Sequence, residues 1–253
     1  MDIRTLPIWV FVLVGFVAQM VDGTLGMAYG VISTTLLTSL GVPQKFASAA
    51  VHASEVVTTG ISGISHWRLG NVNFDLAKRL IIPGCVGGII GAYLLTSLDG
   101  DVIKPFIAIY LAIMGLVIIF RAFRSLAPRE VRSWLMPLAL SGGFLDAIGG
   151  GGWGPIVTST LVARGNAPRF TVGSVNMTEF FVTLSQSITF VIALGSSELL
   201  KYGPVILGLL IGGAVAAPLA AFTAKKLPYR PFMLMVGVLI VVLNVWTLIR
   251  YLR

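Results

Sequence analysis

Long apolar runs occupy this chain from one end to the other. Three of them, at 80–98, 103–120 and 231–249, each approach the ~20 residues that an α-helix needs to cross a bilayer. Only 11% of the 253 residues are charged, and the mean hydropathy is +0.93, whereas soluble domains carry about 25% charged residues. The sequence therefore predicts an all-α, polytopic helical membrane protein, with the lipid bilayer as a partner.

The net charge of +8 has a topological explanation. The basic residues lie in short gaps between the apolar runs, where they fix the orientation of membrane helices, so we expect no nucleic acid partner. The lone Cys85 lies inside an apolar run and allows no intrachain disulfide. The first 23 residues resemble a signal peptide but lack a small-x-small cleavage site, so we expect them to remain in the mature protein.

The chain repeats itself at an offset of 124 positions, and the matches fall on its rare charged and glycine residues. The matched pairs are Asp22 with Asp146, Gly26 with Gly150, Tyr29 with Trp153, Gly30 with Gly154, Thr34 with Thr158 and Glu55 with Glu179. Many secondary transporters are built from such repeats. We therefore predict a first repeat at 1–125 and a second at 126–253, within one integral membrane domain.

Each repeat is predicted to open with a broken helix. The opening blocks, 6–40 and 134–163, are followed by three spans in each half, at 46–66, 79–98 and 103–123 and at 170–195, 203–223 and 231–250. The first block would be roughly 50 Å long as one helix, too long for one crossing of a ~30 Å core. We interpret each block as two short helices, either two thin crossings or a re-entrant hairpin. Each block returns to its starting side, and the three crossings that follow it therefore make the second repeat inverted. We also expect both termini to face outward.

Four carboxylates fall within the predicted membrane region: Asp22, Glu55, Asp146 and Glu179. A carboxylate there costs roughly 2.5–3.5 kcal/mol on insertion scales, so it normally faces a cavity or a partner. We expect these residues to carry a coupling proton or to coordinate a cation such as sodium. The alternative is structural, with the aspartates as helix N-caps and the glutamates in local pairs.

A polar stripe surrounds the two glutamates. Helical spacing places one set on a single face, namely Ser48, His52, Glu55, Thr59, Ser62 and His66, and the second repeat offers Asn176, Glu179, Thr183 and Gln186. Such a stripe lines either a wet path or a hydrogen-bonded seam between helices. We favour the path because a seam does not need a glutamate, and we include His52 and Asn176 among the substrate-binding candidates.

No motif in the sequence indicates an enzyme or a metal site. His52 and Glu55 are one turn apart, but His66 lies three turns further along and the second repeat has no histidine. The run GGGGWG lacks the βαβ surroundings of a nucleotide-binding loop. We therefore expect no catalytic residue, no metal and no cofactor.

The run Gly149–Gly154 predicts a helix break, because glycine costs about 1 kcal/mol relative to alanine in a helix. Pro155 suits the first turn of the next helix, and the freed N–H groups of such a break form an anion site. The alternative is close helix packing, which we expect at Gly84/Gly88/Ala92 and Gly208/Gly212/Ala216. The predicted substrate-binding residues at the two breaks are Gly26, Gly30, Ser33, Thr34, Gly150, Gly151, Gly152, Trp153, Gly154, Thr158 and Ser159.

The segments VDGTLGMAYG and LDAIGGGGWGP, each opening one repeat, resemble the sulfite exporter TauE/SafE family, also called the toluene-sulfonate uptake permease group. The resemblance covers essentially the whole chain. It implies a multi-pass secondary transporter of the bacterial plasma membrane for small sulfur-containing anions such as sulfite, sulfoacetate or other organosulfonates. The first repeat departs from GGGGWGP, which puts in doubt whether its half of the site has the same role.

We therefore expect an ion-coupled carrier that works by alternating access. An anion channel using the same pore is the first alternative, and a membrane-embedded enzyme or assembly subunit is the second. The sequence leaves open the anion, the direction of transport, the coupling ion and whether the chain forms a homodimer.

Overall fold

The structure, a computed structural model, describes residues 6–25, 27–123, 134–164, 166–223 and 229–252. Most of these residues are helical. No strand occurs within these ranges. The helices of the first half (1–125) are α1 Ile8–Leu25, α2 Tyr29–Ser39, α3 Gln44–Arg68, α4 Phe74–Ser97 and α5 Gly100–Arg121. Those of the second half (126–253) are α6 Leu135–Gly149, a π-helical turn Gly154–Thr158 that continues into α7 Ser159–Ala163, α8 Pro168–Leu194, α9 Ser196–Leu200, α10 Gly203–Thr223 and α11 Tyr229–Leu252.

Each opening block is two short helices, as predicted. The first is interrupted between Leu25 and Tyr29, and the second between Gly149 and Gly154. The six predicted spans coincide with α3, α4, α5, α8, α10 and α11 to within a few residues at each end. The short helix α9 was not predicted.

The outside of the helical assembly is apolar. Three helices are long and apolar enough to cross a membrane, at Phe74–Ser97, Phe170–Leu194 and Gly203–Ala220. Four shorter apolar helices lie at Ile8–Gly23, Pro105–Phe120, Leu135–Gly149 and Gly237–Ile249. Large side chains such as Ile82 (71% exposed) and Ile192 (79%) point outward. Soluble proteins rarely expose continuous apolar surface, so this surface is suited to lipid.

The opening helix of each half packs most extensively on a helix of the other half. Helix α1 lies against α10, and α6 lies against α4. Small residues permit this, since a Cβ added to Gly208 would come within 2.5 Å of Phe11 Cβ, and one added to Gly212 would meet the Val12 carbonyl. The expected close packing at Gly208 and Gly212 is confirmed, because each lies against the backbone or Cβ atoms of α1.

The two helix breaks cross each other backbone to backbone. A Cβ on Gly30, near the start of α2, would lie 2.6 Å from Gly151 Cα and 2.8 Å from the Gly150 carbonyl oxygen. Gly150 and Gly151 also take φ values of +68° and +151°, a region that side chains rarely adopt. The glycines therefore permit both the turn of the chain and the close approach of the two breaks, and this crossing positions the candidate site.

Candidate functional site

Asp146 organises the second break. Its Oδ1 accepts the backbone N–H of Trp153 at 2.9 Å, and its backbone carbonyl accepts the N–H groups of Gly150 and Gly151. Asp22 accepts the backbone N–H of Tyr29 in the same way. Each aspartate thus accepts a backbone N–H at the start of the helix after the break, although Ala28 and Trp153 hold the N-cap positions themselves.

Side chains from three helices satisfy the carbonyl groups at the end of α6. A helix end leaves four carbonyls without intrahelical partners, and at membrane depth these need partners from the protein. The pairs are Ser48 Oγ with the Ala147 carbonyl (2.6 Å), Gln44 Nε2 with Ile148 (3.0 Å), Thr34 Oγ1 with Gly150 and Tyr110 OH with Gly151 (3.2 Å). The break is therefore held by α2, α3 and α5 of the first half.

Two of these donors, Gln44 and Tyr110, belong neither to the predicted site residues nor to the predicted polar stripe of α3. Gln44 lies one helical turn before Ser48, so extending the polar stripe of α3 by one step of four residues finds it. Tyr110 lies in an apolar run and gives no such signal. Asn244, which donates to Thr35 Oγ1 at 3.0 Å and is 2% exposed, was also missed.

The polar stripe of α3 is buried from Ser48 to Ser62, with His66 half-buried, and it reaches the second half of the chain. His52 is fully buried, and its Nε2 lies 3.1 Å from Asp146 Oδ2 and 4.0 Å from Glu55 Oε2. Gln186, on α8, donates to the same Asp146 Oδ2 at 3.0 Å. His52 and Gln186, from opposite halves, therefore converge on one carboxylate oxygen.

Part of the stripe forms a seam between α3 and α8. Ser62 Oγ donates to Asn176 Oδ1 at 3.0 Å, and Asn176 Nδ2 donates back to the Val172 carbonyl of its own helix at 3.1 Å. This contact places Asn176 in a structural hydrogen bond between the halves. The two glutamates are not part of this seam.

The four predicted carboxylates are brought into one electrostatic neighbourhood. Glu55 and Glu179 are 3% and 8% exposed, and Glu55 interacts electrostatically with Asp22, Asp146 and Glu179. Thr59 and Thr183 donate to the backbone carbonyls of Glu55 and Glu179, at 2.5 and 2.8 Å. The carboxylate pairs that the repeat relates in sequence therefore gather around the crossing of the breaks.

Several buried polar atoms of this region lack a hydrogen-bond partner. Among the described residues they include Ser33 Oγ, Thr158 Oγ1, Glu55 Oε2 and Gln186 Oε1. Ser33 follows the first break and Thr158 the second, and Ser159 beside it is partly buried. An unsatisfied buried polar group costs about 1–3 kcal/mol, so these atoms are suited to meet a ligand or water.

The side chain of Trp153 packs in the protein interior. Its indole N–H donates to the Val175 carbonyl at 3.3 Å, and its ring fills the space beside Gly84 and Val182. Only its backbone N–H faces Asp146. Another predicted residue, Gly26, lies outside the described residues.

Two further features lie apart from the crossing. A cavity of about 220 Å³ lies between α6 and α7, where Ser141, Thr160 and Arg164 supply its polar lining, and it contains none of the predicted site residues. Within the described ranges, no group of three or more His, Cys, Asp or Glu side chains is arranged to hold a metal ion.

Comparison with known proteins agrees with this architecture. The chain is 41% identical over 248 residues to the probable membrane transporter protein YtnM of Bacillus subtilis (strain 168), covering 95% of this chain and 82% of that protein. No solved structure matches the chain. Residues 11–247 match the family described as sulfite exporter TauE/SafE. The chain is therefore a membrane transporter that belongs to the sulfite exporter TauE/SafE family.

Proposed function

We propose that this protein is a secondary transporter that moves small sulfur-containing anions, of the sulfite or organosulfonate type, across the bacterial plasma membrane. The observation that carries the proposal is the pair of buried, unpartnered hydroxyls, Ser33 Oγ and Thr158 Oγ1, on the two helices that follow the crossing breaks. The family supplies the substrate class.

The anion is bound by neutral donors. The hydroxyls of Ser33 and Thr158 and the amide groups of Gly152 and Gly154 provide hydrogen bonds without a formal positive charge. The π-helical turn that begins at Gly154 adds the partial positive charge of a helix N-terminus. These donors suit an oxyanion that must be released again on the other side of the membrane.

The carboxylates make transport ion-coupled. Glu55 and Glu179 lie in the same neighbourhood as Asp22 and Asp146, and an anion entering beside ionised carboxylates is repelled, strongly so in a low-dielectric interior. Binding of a proton or a cation removes that repulsion. Anion binding and cation or proton binding are therefore thermodynamically linked.

Alternating access requires two parts that move relative to each other, and we propose inverted halves 1–125 and 126–253. The repeat relates the packing of α1 on α10 to that of α6 on α4, which supports two equivalent halves. The glycine breaks, where backbone freedom is greatest, are the proposed hinges.

Ligand binding to the purified protein tests the proposal. Thermal shifts are measured with sulfite, thiosulfate, taurine, sulfoacetate and sulfate, since a ligand at 100 times its Kd stabilises by about 2.7 kcal/mol. We expect at least one of these anions to stabilise the wild type, and the Ser33→Ala/Thr158→Val variant to lose most of that stabilisation. The matched control is Thr96→Val/Ser97→Ala, whose hydroxyls donate within α4. Equal stabilisation of wild type and Ser33→Ala/Thr158→Val, or none by any anion, contradicts the proposal.

A further inference from the structure

We infer that His52 and Asp146 together hold one exchangeable proton, which joins the two halves of the protein. The existence of this proton site follows from hydrogen-bond geometry alone. Its role as the coupling proton of transport rests on the proposed function.

Nδ1 of His52 faces two oxygen atoms of Ser48. This nitrogen lies 2.7 Å from the Ser48 carbonyl oxygen and 3.2 Å from Ser48 Oγ. A carbonyl oxygen can only accept, and the single hydroxyl hydrogen of Ser48 is donated to the Ala147 carbonyl at 2.6 Å. Both neighbours of Nδ1 are therefore acceptors, so Nδ1 carries a hydrogen.

Nε2 of His52 faces a carboxylate oxygen of Asp146. A neutral imidazole with its hydrogen on Nδ1 has a bare lone pair on Nε2. This lone pair would face Asp146 Oδ2 at 3.1 Å, and an ionised carboxylate has no hydrogen to donate. The contact therefore requires one more proton, held either as an imidazolium beside a carboxylate or as a carboxylic acid beside a neutral imidazole. In both forms the pair is electrically neutral, and loss of the proton leaves it with one negative charge.

The surroundings favour the proton-loaded pair. The other partners of Asp146 are donors, namely Gln186 Nε2 and the Trp153 N–H, and Glu55 Oε2 lies 4.0 Å from His52 Nε2. The other titratable groups that interact with these carboxylates are Asp22, Tyr29, Tyr110 and Glu179. The remaining acidic, basic and histidine side chains of α3 and α4 lie near the helix ends, at Lys45, His66, Arg68, Asp75, Lys78 and Arg79, and the Glu198–Lys201 ion pair is exposed. Loss of the proton would place a bare nitrogen and three or more carboxylates close together in a buried site.

Proton loss and separation of α3 from α6 are therefore linked. His52 belongs to α3 of the first half and Asp146 to α6 of the second. When the proton leaves, the contact between them becomes repulsive, so the conformation with the two helices apart becomes more favourable. The loaded pair stabilises the arrangement seen here.

The histidine–aspartate proton site occurs once in the chain. The position equivalent to His52 in the second half is Asn176, an amide that does not titrate and that bonds to Ser62 and Val172. The repeat therefore supplies one histidine–aspartate proton site and one fixed hydrogen-bonded counterpart.

The test observes His52 by ¹⁵N NMR. The chain has two histidines, so the His66→Gln variant, labelled on histidine and reconstituted in lipid nanodiscs, reports on His52 alone. We expect a protonated Nδ1 at every pH at which the protein is folded, with the second proton of the pair lost on raising the pH. In Asp146→Asn that titration disappears, whereas it remains in Asp22→Asn, the repeat-equivalent control. A bare Nδ1 with the hydrogen on Nε2, or a titration unchanged in Asp146→Asn, overturns the inference.

A second variant tests the coupling role. His52→Gln offers Asp146 an amide donor that cannot titrate. In proteoliposomes, we expect a pH gradient to stimulate transport by His52→Gln at least tenfold less than transport by the wild type. At equal pH on both sides of the membrane, His52→Gln should still exchange the anion. If His52→Gln keeps the full stimulation, the coupling role is wrong. If the wild type moves no sulfur-containing anion but the NMR titration is found, the proposed function fails and the proton site stands.

Discussion

Gly30 and Gly151 lie against each other where the two helix breaks cross, with the Cα of Gly151 only 2.6 Å from the place that a Cβ on Gly30 would occupy. The same Cβ would lie 3.1 Å from Glu55 Oε1. This contact couples the backbone of the second break to a helix start and a buried carboxylate of the first half. Any change of the crossing therefore acts on the proposed site.

Replacement of Gly30 by alanine tests this close approach. We expect Gly30→Ala to lower the free energy of unfolding by about 1–3 kcal/mol, because overpacking forces backbone shifts. Unfolding in detergent micelles, followed by intrinsic fluorescence, measures the change. The control is Gly203→Ala, whose added Cβ would have no neighbour within 4 Å. Equal stabilities of the two variants would show that the breaks do not cross as described.

The hydroxyl of Thr34 is expected to stabilise the second break through the Gly150 carbonyl. Thr34→Val keeps the shape of the side chain but leaves that carbonyl without its donor, so we expect a loss of about 1–3 kcal/mol. Thr96→Val is the matched control, because the Thr96 hydroxyl donates to Tyr93 of its own helix at an exposed position. There we expect a change within about 0.5 kcal/mol. A loss in Thr34→Val no larger than in Thr96→Val counts against the assigned bond.

Glu55 is expected to serve transport rather than stability. Its Oε2 is buried without a hydrogen-bond partner, and an uncompensated buried charge is unfavourable. Glu55→Gln should therefore leave thermal stability unchanged or raised, while it lowers the rate of coupled transport at least tenfold. Glu198→Gln, at an exposed ion pair with Lys201, should change neither quantity.

The second repeat provides a stricter version of this experiment. The double variant Glu55→Gln/Glu179→Gln removes both repeat-related carboxyls. Transport in the double variant at the wild-type rate would mean that neither glutamate carries the coupling ion.

The sequence predicted the positions of the breaks and spans because their signals are local. Glycine runs, Pro155 and apolar length are each read from neighbouring residues, and the offset that pairs Asp22 with Asp146 also pairs Tyr29 with Trp153. The two equivalent capping bonds to these aspartates follow from that offset. The equivalence of these two bonds could therefore be predicted from the sequence.

Contacts between distant segments could not be predicted in the same way. Helical periodicity places His52 on a polar face but does not say which helix that face meets, so its contact with Asp146 appears only in three dimensions. Tyr110 lies in an apolar run, and its bond to the Gly151 carbonyl has no local signal. The burial of the Trp153 indole also has no local signal, because the ring fills the space that Gly84 leaves open on another helix. That space depends on the packing of the two halves.

Counterflow in proteoliposomes tests most directly whether the crossing breaks form the anion site of a carrier. Vesicles loaded with unlabelled sulfite are diluted into a trace of ³⁵S-sulfite, and the internal label is followed with time, with thiosulfate, taurine and sulfoacetate tested in parallel. We expect a transient accumulation of label above equilibrium for at least one of these anions, and its loss in Ser33→Ala/Thr158→Val. No accumulation with any of them, or a steady anion current of the kind that a channel carries, would contradict it.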